Sequence, residues 1–178
     1  MRYLLLLLAA AMIFTDAAHA ASESVDYSDG ATSLEGYWSP SQCGDEKPAP
    51  VVLVVHQWMG LTAYEKMRAD MLAAQCYDAF AIDMYGKGVR PANQDEAQTQ
   101  ATIYKSDPVL ARRRINAALD YAQTRTGIDP AHIAAMVYCF GGSMVLELAR
   151  SGAGIGGVIS FHGGLSTPAP APQPGSIR

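Results

Sequence analysis

The chain has few positive charges, few cysteines and, after residue 20, no apolar run that approaches the length of a membrane span. Its 13 Lys and Arg residues against 17 Asp and Glu residues give a formal net charge of −4. Because an acidic surface repels phosphate backbones, we expect no nucleic acid among its partners. We expect the one basic cluster, Arg112 to Arg114, to be a solvated helix face. A spanning helix needs roughly 20 apolar residues, so we also expect no membrane association after the first 20 residues are removed.

The first 20 residues have the features of an export signal. A short basic start at Met1 and Arg2 precedes an apolar run over residues 3–14, and Ala18-His19-Ala20 has the small-x-small form of a cleavage site. We therefore predict a signal peptide over residues 1–20 and an exported chain, periplasmic or secreted. Residues 21–165 are predicted to form one domain around a single core. The proline-rich residues 166–178 are predicted to be a tail or linker.

The three cysteines, Cys43, Cys76 and Cys139, contain no Cys-x-x-Cys spacing. The absence of this spacing counts against a thiol redox protein. In an oxidising compartment, three cysteines allow one disulfide and one free thiol. If Cys139 is the functional thiol, the pair is Cys43 and Cys76. Three reduced, partly buried thiols are the alternative.

Histidine is also scarce, and none of the four is placed for metal binding. His56 and His132 have no second ligand at metal spacing, so we expect no metal site. His162 follows a predicted strand, at the end of a parallel sheet where catalytic groups collect. We nevertheless interpret it as a structural histidine whose ring satisfies a loop backbone group. Tyr85 is interpreted as a packing residue.

Hydrophobic periodicity predicts alternating strands and helices after an antiparallel start. Strands are predicted at residues 25–27, 32–38, 51–55, 77–84, 133–138 and 158–161, and helices at 62–75, 93–105, 107–126 and 141–150. Asp29-Gly30 favours the primed turn of an edge hairpin. One apolar stripe marks the third helix, at Ala111, Ile115, Ala118, Leu119 and Ala122. With right-handed crossovers, this order gives an α/β fold, a doubly wound and mostly parallel sheet whose ligands bind at the carboxyl ends of the strands.

A cysteine lies where one of these strands gives way to a helix. In Val137-Tyr138-Cys139-Phe140-Gly141-Gly142, a sharp strand-to-helix turn would lift the thiol clear of the sheet. The free N–H groups and the dipole of the following helix favour a thiolate and an oxyanion beside it. The two glycines allow a tight turn and close approach of a substrate carbonyl. A buried structural cysteine is the alternative.

Four blocks of sequence carry a family resemblance. They are Val54 to Leu61 (VVHQWMGL), Ala81 to Gly88 (AIDMYGKG), Tyr138 to Gly142 (YCFGG) and Ser160 to Gly164 (SFHGG). In this order and spacing they resemble the dienelactone hydrolase family of α/β-hydrolases, over about residues 51–165. The resemblance implies a cysteine hydrolase with a Cys-His-Asp triad, acting on small enol-lactones and related esters. It also implies no metal and no organic cofactor.

Five residues take roles from this resemblance. Cys139 matches the nucleophile, and the backbone N–H groups of Phe140 and Trp58 match the oxyanion hole. Donors that are fixed before charge develops contribute about 3 kcal/mol each. Gln57 stands where many members carry a glutamate that contacts the resting thiol, and it cannot accept a proton. Lys87 is placed to meet a substrate carboxylate as a point charge.

The sequence departs from the family pattern in two ways. Val137 stands where the elbow usually has glycine, so we expect a relaxed turn or strain absorbed nearby. The family's triad Asp and His follow the strand that ends near Phe161, and this chain has no acidic residue after Glu147. We therefore expect a sheet that stops before its last strands, with an exposed edge. A monomer is expected, with association through that edge possible in principle.

Three hypotheses remain open at this point. The first is an exported, incomplete hydrolase of the dienelactone type, impaired because its triad is incomplete. The second is a non-catalytic small-molecule binding protein with the same cleft, supported by Val137 and Gln57. The third is a redox protein that uses Cys139.

Overall fold

The structure of the protein, a computed structural model, describes residues 20–44 and 48–166. Nearly all of the predicted signal peptide and of the predicted tail lies outside these residues. The strands are β1 (Glu23–Asp29), β2 (Thr32–Ser39), β3 (Ala49–Val55), β4 (Asp78–Ile82), β5 (Ile128–Tyr138) and β6 (Gly157–Phe161). The helices are α1 (Ala63–Ala73), α2 (Gln94–Ser106), α3 (Pro108–Gln123) and α4 (Gly141–Arg150).

The strands form one sheet in the order β1-β2-β4-β3-β5-β6. β1 and β2 are antiparallel to their neighbours, whereas β4, β3, β5 and β6 run parallel to one another. β3 and β4 are buried along almost their whole length, as strands covered on both faces should be. The predicted α/β class and mostly parallel sheet are therefore confirmed.

Several strands extend beyond their predicted bounds, and β5 does so most. β5 begins at Ile128 rather than at Ile133, because Ile128 already pairs with Ala49 before the register shifts to Val51 opposite Ile133. The residues between them bulge out around Pro130, which has no N–H to donate to the ladder. The predicted Asp129-Pro130 turn is therefore a bulge within a strand.

The edge hairpin also differs in detail. Asp29 pairs with Thr32, so the loop consists of Gly30 and Ala31 and not of Asp29-Gly30. Of these two residues Gly30 has a positive φ, +56°, which is the pattern of a type II′ turn. At the opposite edge, β6 pairs with β5 alone among the described residues. Ile159 and Phe161 are 54% and 43% exposed there, as expected for an uncovered edge.

The helix signals in the sequence are largely confirmed. Thr62 and Glu65 form the capping box of α1, and Asn93 and Asp107 cap α2 and α3. The predicted stripe of α3 is buried, at Ala111, Ile115, Ala118, Leu119 and Ala122. These positions attach the helix to the core of the sheet.

The prediction of a solvated arginine face was wrong for Arg114, although the Arg113 side chain is 59% exposed. Arg114 is 4% exposed, and its Nε lies 3.0 Å from the Asp29 carboxylate, which Arg113 also contacts at 2.9 Å. Arg112 pairs with the buried Glu147 at 2.7 Å. Burial alone would raise the pKa of Asp29, but the hydrogen bonds from the two arginines outweigh it and lower that pKa. The arginine run therefore fastens α3 to the hairpin and to α4.

A disulfide joins Cys43 to Cys76, with a Cα–Cα distance of 5.0 Å, and Cys139 is the free, partly exposed thiol. The pair Cys43–Cys76, which was predicted if Cys139 is the functional thiol, is therefore the one that forms. None of the helices in residues 20–44 and 48–166 is long and apolar enough to cross a bilayer.

Candidate active site

Cys139 occupies the sharp turn between β5 and α4. Its φ is +58°, a left-handed conformation that is uncommon for a residue with a side chain. The turn is held at both ends: the Cys139 N–H donates to the Phe161 carbonyl (3.1 Å), and the Cys139 carbonyl accepts from Gly142 N–H (3.0 Å). Strand, strained residue and helix follow each other as in a nucleophile elbow.

The branched side chain of Val137 does not prevent this turn. Val137 is fully buried, and its Cγ2 fills the space that a Cβ on Gly141 would need. The same missing Cβ would lie 2.9 Å from Val55 Cγ1 and 3.0 Å from the His56 carbonyl oxygen. The valine is therefore accommodated by a glycine four residues later, and the strain is carried by Cys139.

The loops that follow β3 and β5 leave the sheet at the same edge. Val55 pairs with Val137 in parallel register, so Trp58 and Phe140 both follow directly at the carboxyl ends of neighbouring strands. In the described part of the chain, the backbone N–H groups of Trp58 and Phe140 have no hydrogen-bond acceptor. Unpaired amides at this edge are available to a developing oxyanion.

Tyr85 connects the two loops and does more than pack. Its hydroxyl donates to the Trp58 carbonyl (2.9 Å), and its ring lies 5.5 Å from that of Phe140. Burial above all raises the pKa of the Tyr85 hydroxyl, and negative charge on Tyr104 and on Cys139 raises it further. Tyr85 therefore stays protonated and acts as a donor to the Trp58 loop.

The remaining sequence-predicted residues are less closely gathered. The Gln57 N–H lies 3.4 Å from Glu65 Oε1, while its side chain makes no hydrogen bond within the described residues. Lys87 Nζ binds Asp26 Oδ2 at 2.5 Å and is 44% exposed. Lys87 is thus paired with a residue of β1, and its role in substrate binding stays a prediction.

The structure does not support the structural role expected for His162. Its backbone has a φ of +45°, and its side chain is exposed. Its ring lies 6.3 Å from that of Tyr138 and makes no hydrogen bond to any residue described. No group of His, Cys, Asp or Glu side chains in the described ranges could hold a metal ion.

Two buried polar residues beside the Trp58 loop were missed as site residues. Glu65 is 2% exposed, and its carboxylate accepts from the Thr62 N–H (2.8 Å) and hydroxyl (2.6 Å) as well as from Gln57. His56 is fully buried at the end of β3. The Thr-x-x-Glu spacing identified the cap of α1, but no sequence signal showed that this carboxylate also reaches the loop.

A cavity of about 300 Å³ lies between α2, α4 and the segment after β6. It is lined by Tyr104, Lys105, Pro108, Ser143, Met144, Glu147, Gly164 and Ser166. Lys105 Nζ lies 5.9 Å from the centre of the Phe140 ring, so this space adjoins the elbow from the helix side. Cys139 does not line it.

Two proteins of known structure with the same fold are also similar to this chain in sequence. The structure of P91, described as a dienelactone hydrolase-like promiscuous phosphotriesterase from metagenomic libraries, is 36% identical, with a TM-score of 0.76 over 82% of this chain and 60% of that one. The structure titled m3DLH is 32% identical, with a TM-score of 0.82 over 88% of this chain and 65% of that one. This chain therefore spans about three fifths of the length of these relatives.

A more distant structure supports the fold alone. A dienelactone hydrolase-like protein from Klebsiella pneumoniae is 17% identical, with a TM-score of 0.68 over 86% of this chain and 65% of that one. No curated protein matches the chain. The model of the dienelactone hydrolase family, however, matches residues 35–176, which include the elbow, both loops and most of the sheet. By this match the chain belongs to the dienelactone hydrolase family.

Proposed function

We propose that this protein cleaves a lactone or ester with Cys139 as the nucleophile and the backbone N–H groups of Trp58 and Phe140 as oxyanion donors. The observation that carries the proposal is the left-handed φ of +58° at Cys139. Strain of this kind is retained where the surrounding structure enforces it, and it clusters at functional sites. A positive φ alone does not distinguish a functional thiol, since the disulfide-bonded Cys76 has a φ of +72°. At Cys139 the positive φ lies in the turn between β5 and α4, next to the unpaired Phe140 N–H.

The first step, formation of a thioester, requires little beyond the thiol and the two backbone N–H donors. The Cys139 thiolate attacks the carbonyl carbon, the carbonyl electrons move onto oxygen, and the two amides stabilise the oxyanion. Collapse of this intermediate expels an alkoxide or enolate and leaves a thioester on sulfur. Water then attacks the thioester, which releases the carboxylic acid and regenerates the thiol.

We propose that the second step is slow in this chain. Within the described residues, no imidazole or carboxylate is hydrogen-bonded to the Cys139 sulfur, so none of these groups is held beside the sulfur to activate the water. Acylation suffers less, because sulfur is intrinsically a strong nucleophile and needs less help from a neighbouring base than a hydroxyl does. Activity should therefore be impaired relative to a hydrolase with a complete Cys-His-Asp triad.

p-Nitrophenyl acetate tests this proposal directly. We expect a burst of about one p-nitrophenolate per protein, followed by slow release, with the acetyl group found on Cys139 by mass spectrometry. Cys139→Ala should abolish the burst, and Cys139→Ser should nearly do so because a hydroxyl is not ionised at neutral pH. Equal rates in the three proteins would remove Cys139 from the mechanism.

A binding protein with the same cleft is the alternative function. It is favoured by Gln57, which cannot act as a proton acceptor. A lactone that binds and is recovered unchanged, with no thioester formed, would support it. Because P91 is described as a phosphotriesterase, an aryl phosphotriester is a second substrate worth testing, since its phosphoryl oxygen can accept from the same two amides.

We also propose that the protein is exported. The basic and apolar start of residues 1–20 supports this proposal, as does the Cys43–Cys76 disulfide, since disulfides persist in oxidising compartments. Fusion of residues 1–20 to a reporter that is active only outside the cytoplasm tests it. A reporter retained inside the cell would contradict it.

A further inference from the structure

His56 lies between the two loops of the site. It follows β3 directly and is fully buried. Its ring meets the edge of the Tyr85 ring at 4.6 Å and stacks on the Phe140 ring at 5.8 Å. A polar ring buried among aromatic side chains must satisfy both of its nitrogens internally.

The hydrogen bonds of His56 determine its tautomer. The Met84 N–H, which can only donate, lies 3.1 Å from Nε2, so Nε2 is the unprotonated nitrogen. Nδ1 therefore carries the hydrogen and donates it to the Gln57 carbonyl oxygen at 2.5 Å. Burial lowers the pKa of the ring, although the negative charges of the Asp83 and Glu65 carboxylates act in the opposite direction. Burial therefore favours this neutral form.

The Gln57 carbonyl belongs to the same peptide unit as the Trp58 N–H. In a planar trans peptide, the C=O and N–H bonds point in opposite directions. A carbonyl held against the His56 ring therefore turns the Trp58 N–H away from the ring. The Gly60 N–H donates to the same oxygen at 3.2 Å, so the carbonyl has two donors.

The neighbouring peptide groups are tethered as well. Glu65 Oε1 lies 3.4 Å from the Gln57 N–H, and the Tyr85 hydroxyl donates to the Trp58 carbonyl. The Trp58 N–H between them has no acceptor in the described ranges. The loop is thus held by its other polar groups, while this one donor is left unpaired.

We propose that His56 is a positioning residue that holds the Gln57 carbonyl and thereby aims the Trp58 N–H at the carbonyl oxygen of a substrate attacked by Cys139. This inference rests on the proposed function. His56 itself touches neither substrate nor the reacting atoms, and in the neutral form it acts without changing its protonation state.

Two reactions of the same thiol separate positioning from structure. p-Nitrophenyl acetate acylates Cys139 through an oxyanion, whereas iodoacetamide alkylates it without forming one. The ratio of acylation to alkylation rate therefore reports the oxyanion donors and cancels changes in thiol ionisation or access. N-acetylcysteine gives the reference ratio for a thiol without donors.

The variants remove the Nδ1 donor of His56 or replace the ring by an amide. His56→Phe keeps an aromatic ring but loses both hydrogen bonds. His56→Asn places an amide N–H about where Nδ1 lies, and His56→Gln places its amide near Nε2. We expect the ratio to fall about tenfold in His56→Phe, less than the 10²–10³ typical for outright loss of a donor, because Gly60 still holds the carbonyl. It should recover in His56→Asn and stay low in His56→Gln.

Other outcomes overturn the inference. An unchanged ratio in folded His56→Phe would show that His56 does not aim the donor. Equal losses in both reactions would show a general structural role. If His56→Phe does not fold, the contrast between His56→Asn and His56→Gln decides. A wild-type ratio no higher than that of N-acetylcysteine would instead refute the proposed function, and the inference with it.

Discussion

The replacement of Gly141 by alanine should be one of the most damaging small changes in the molecule. A Cβ at this position would overlap Val137 Cγ2 and would lie 2.9 Å from Val55 Cγ1 and 3.0 Å from the His56 carbonyl oxygen. Both valines are buried, and one contact is to backbone. None of these neighbours can move aside at little cost.

The magnitude follows from two opposing effects. Overpacking a buried site by one carbon typically costs 1–3 kcal/mol, and three tight contacts place Gly141→Ala toward the upper end. Alanine in a helix is favoured over glycine by up to about 1 kcal/mol, less at a first helical position. We therefore expect Gly141→Ala to lower the free energy of unfolding by about 2 kcal/mol.

Urea denaturation of the oxidised protein measures this change, with Gly154→Ala as the matched control. Gly154 has open space around its missing Cβ and no positive φ, so its replacement should be neutral or stabilise by up to about 1 kcal/mol. In a Val137→Ala background the cost of Gly141→Ala should shrink by about 1 kcal/mol, because the worst overlap is gone. Equal midpoints for the two glycine variants, or an undiminished cost in that background, would refute the account of how Val137 is accommodated.

Three further predictions concern stability. Asp29→Asn should lower the free energy of unfolding by about 3 kcal/mol or more, because it leaves the buried Arg114 guanidinium without its counter-charge. Asp26→Asn removes one partner of an exposed ion pair and should leave the urea midpoint unchanged. Similar losses of stability in the two variants would contradict this prediction. Burial lowers the pKa of His56 below 6.5, so the unfolded chain binds a proton that the folded chain does not. Thermal stability should then fall as pH drops below about 6.5, by at most about 1.4 kcal/mol per pH unit, and a flat profile would count against this. Replacing Cys43 and Cys76 by serine should cost about 3–4 kcal/mol for a sequence separation of 33 residues, which an unchanged urea midpoint would disprove.

Most of the fold could be predicted from signals that are local in the sequence. Thr62, Asn93 and Asp107 each cap the helix that their spacing predicts, because a cap is satisfied by atoms within a few residues. The buried stripe of α3 likewise follows from a period of 3.6 residues. The differences in strand extent at Pro130 and at the hairpin loop lie where the pairing partner determines how far a strand continues.

Long-range partners could not be found in this way. Arg113 and Arg114 resemble a solvated run until Asp29, more than 80 residues earlier in the chain, is brought against them. Lys87 matches a substrate-binding position in sequence, yet Asp26 on β1 takes up its charge. Periodicity contains no information about which distant charge reaches a given side chain, so neither ion pair could be predicted from the sequence.

The parts of the site differ in what they depend on. The cysteine turn and the two free amides follow β3 and β5, adjacent parallel strands whose register is unbroken from Val51 opposite Ile133 to Val55 opposite Val137, and their geometry is secured by residues of the described sheet. Removal of a proton from the attacking water requires an additional base that these strands do not provide. In the proposed mechanism, thiolate attack depends on the first set and thioester hydrolysis on the second, so the two steps should respond differently to mutation. Changes at Gly141 or around His56 should slow formation of the thioester, and the rate of its hydrolysis should depend on added nucleophiles or base in solution.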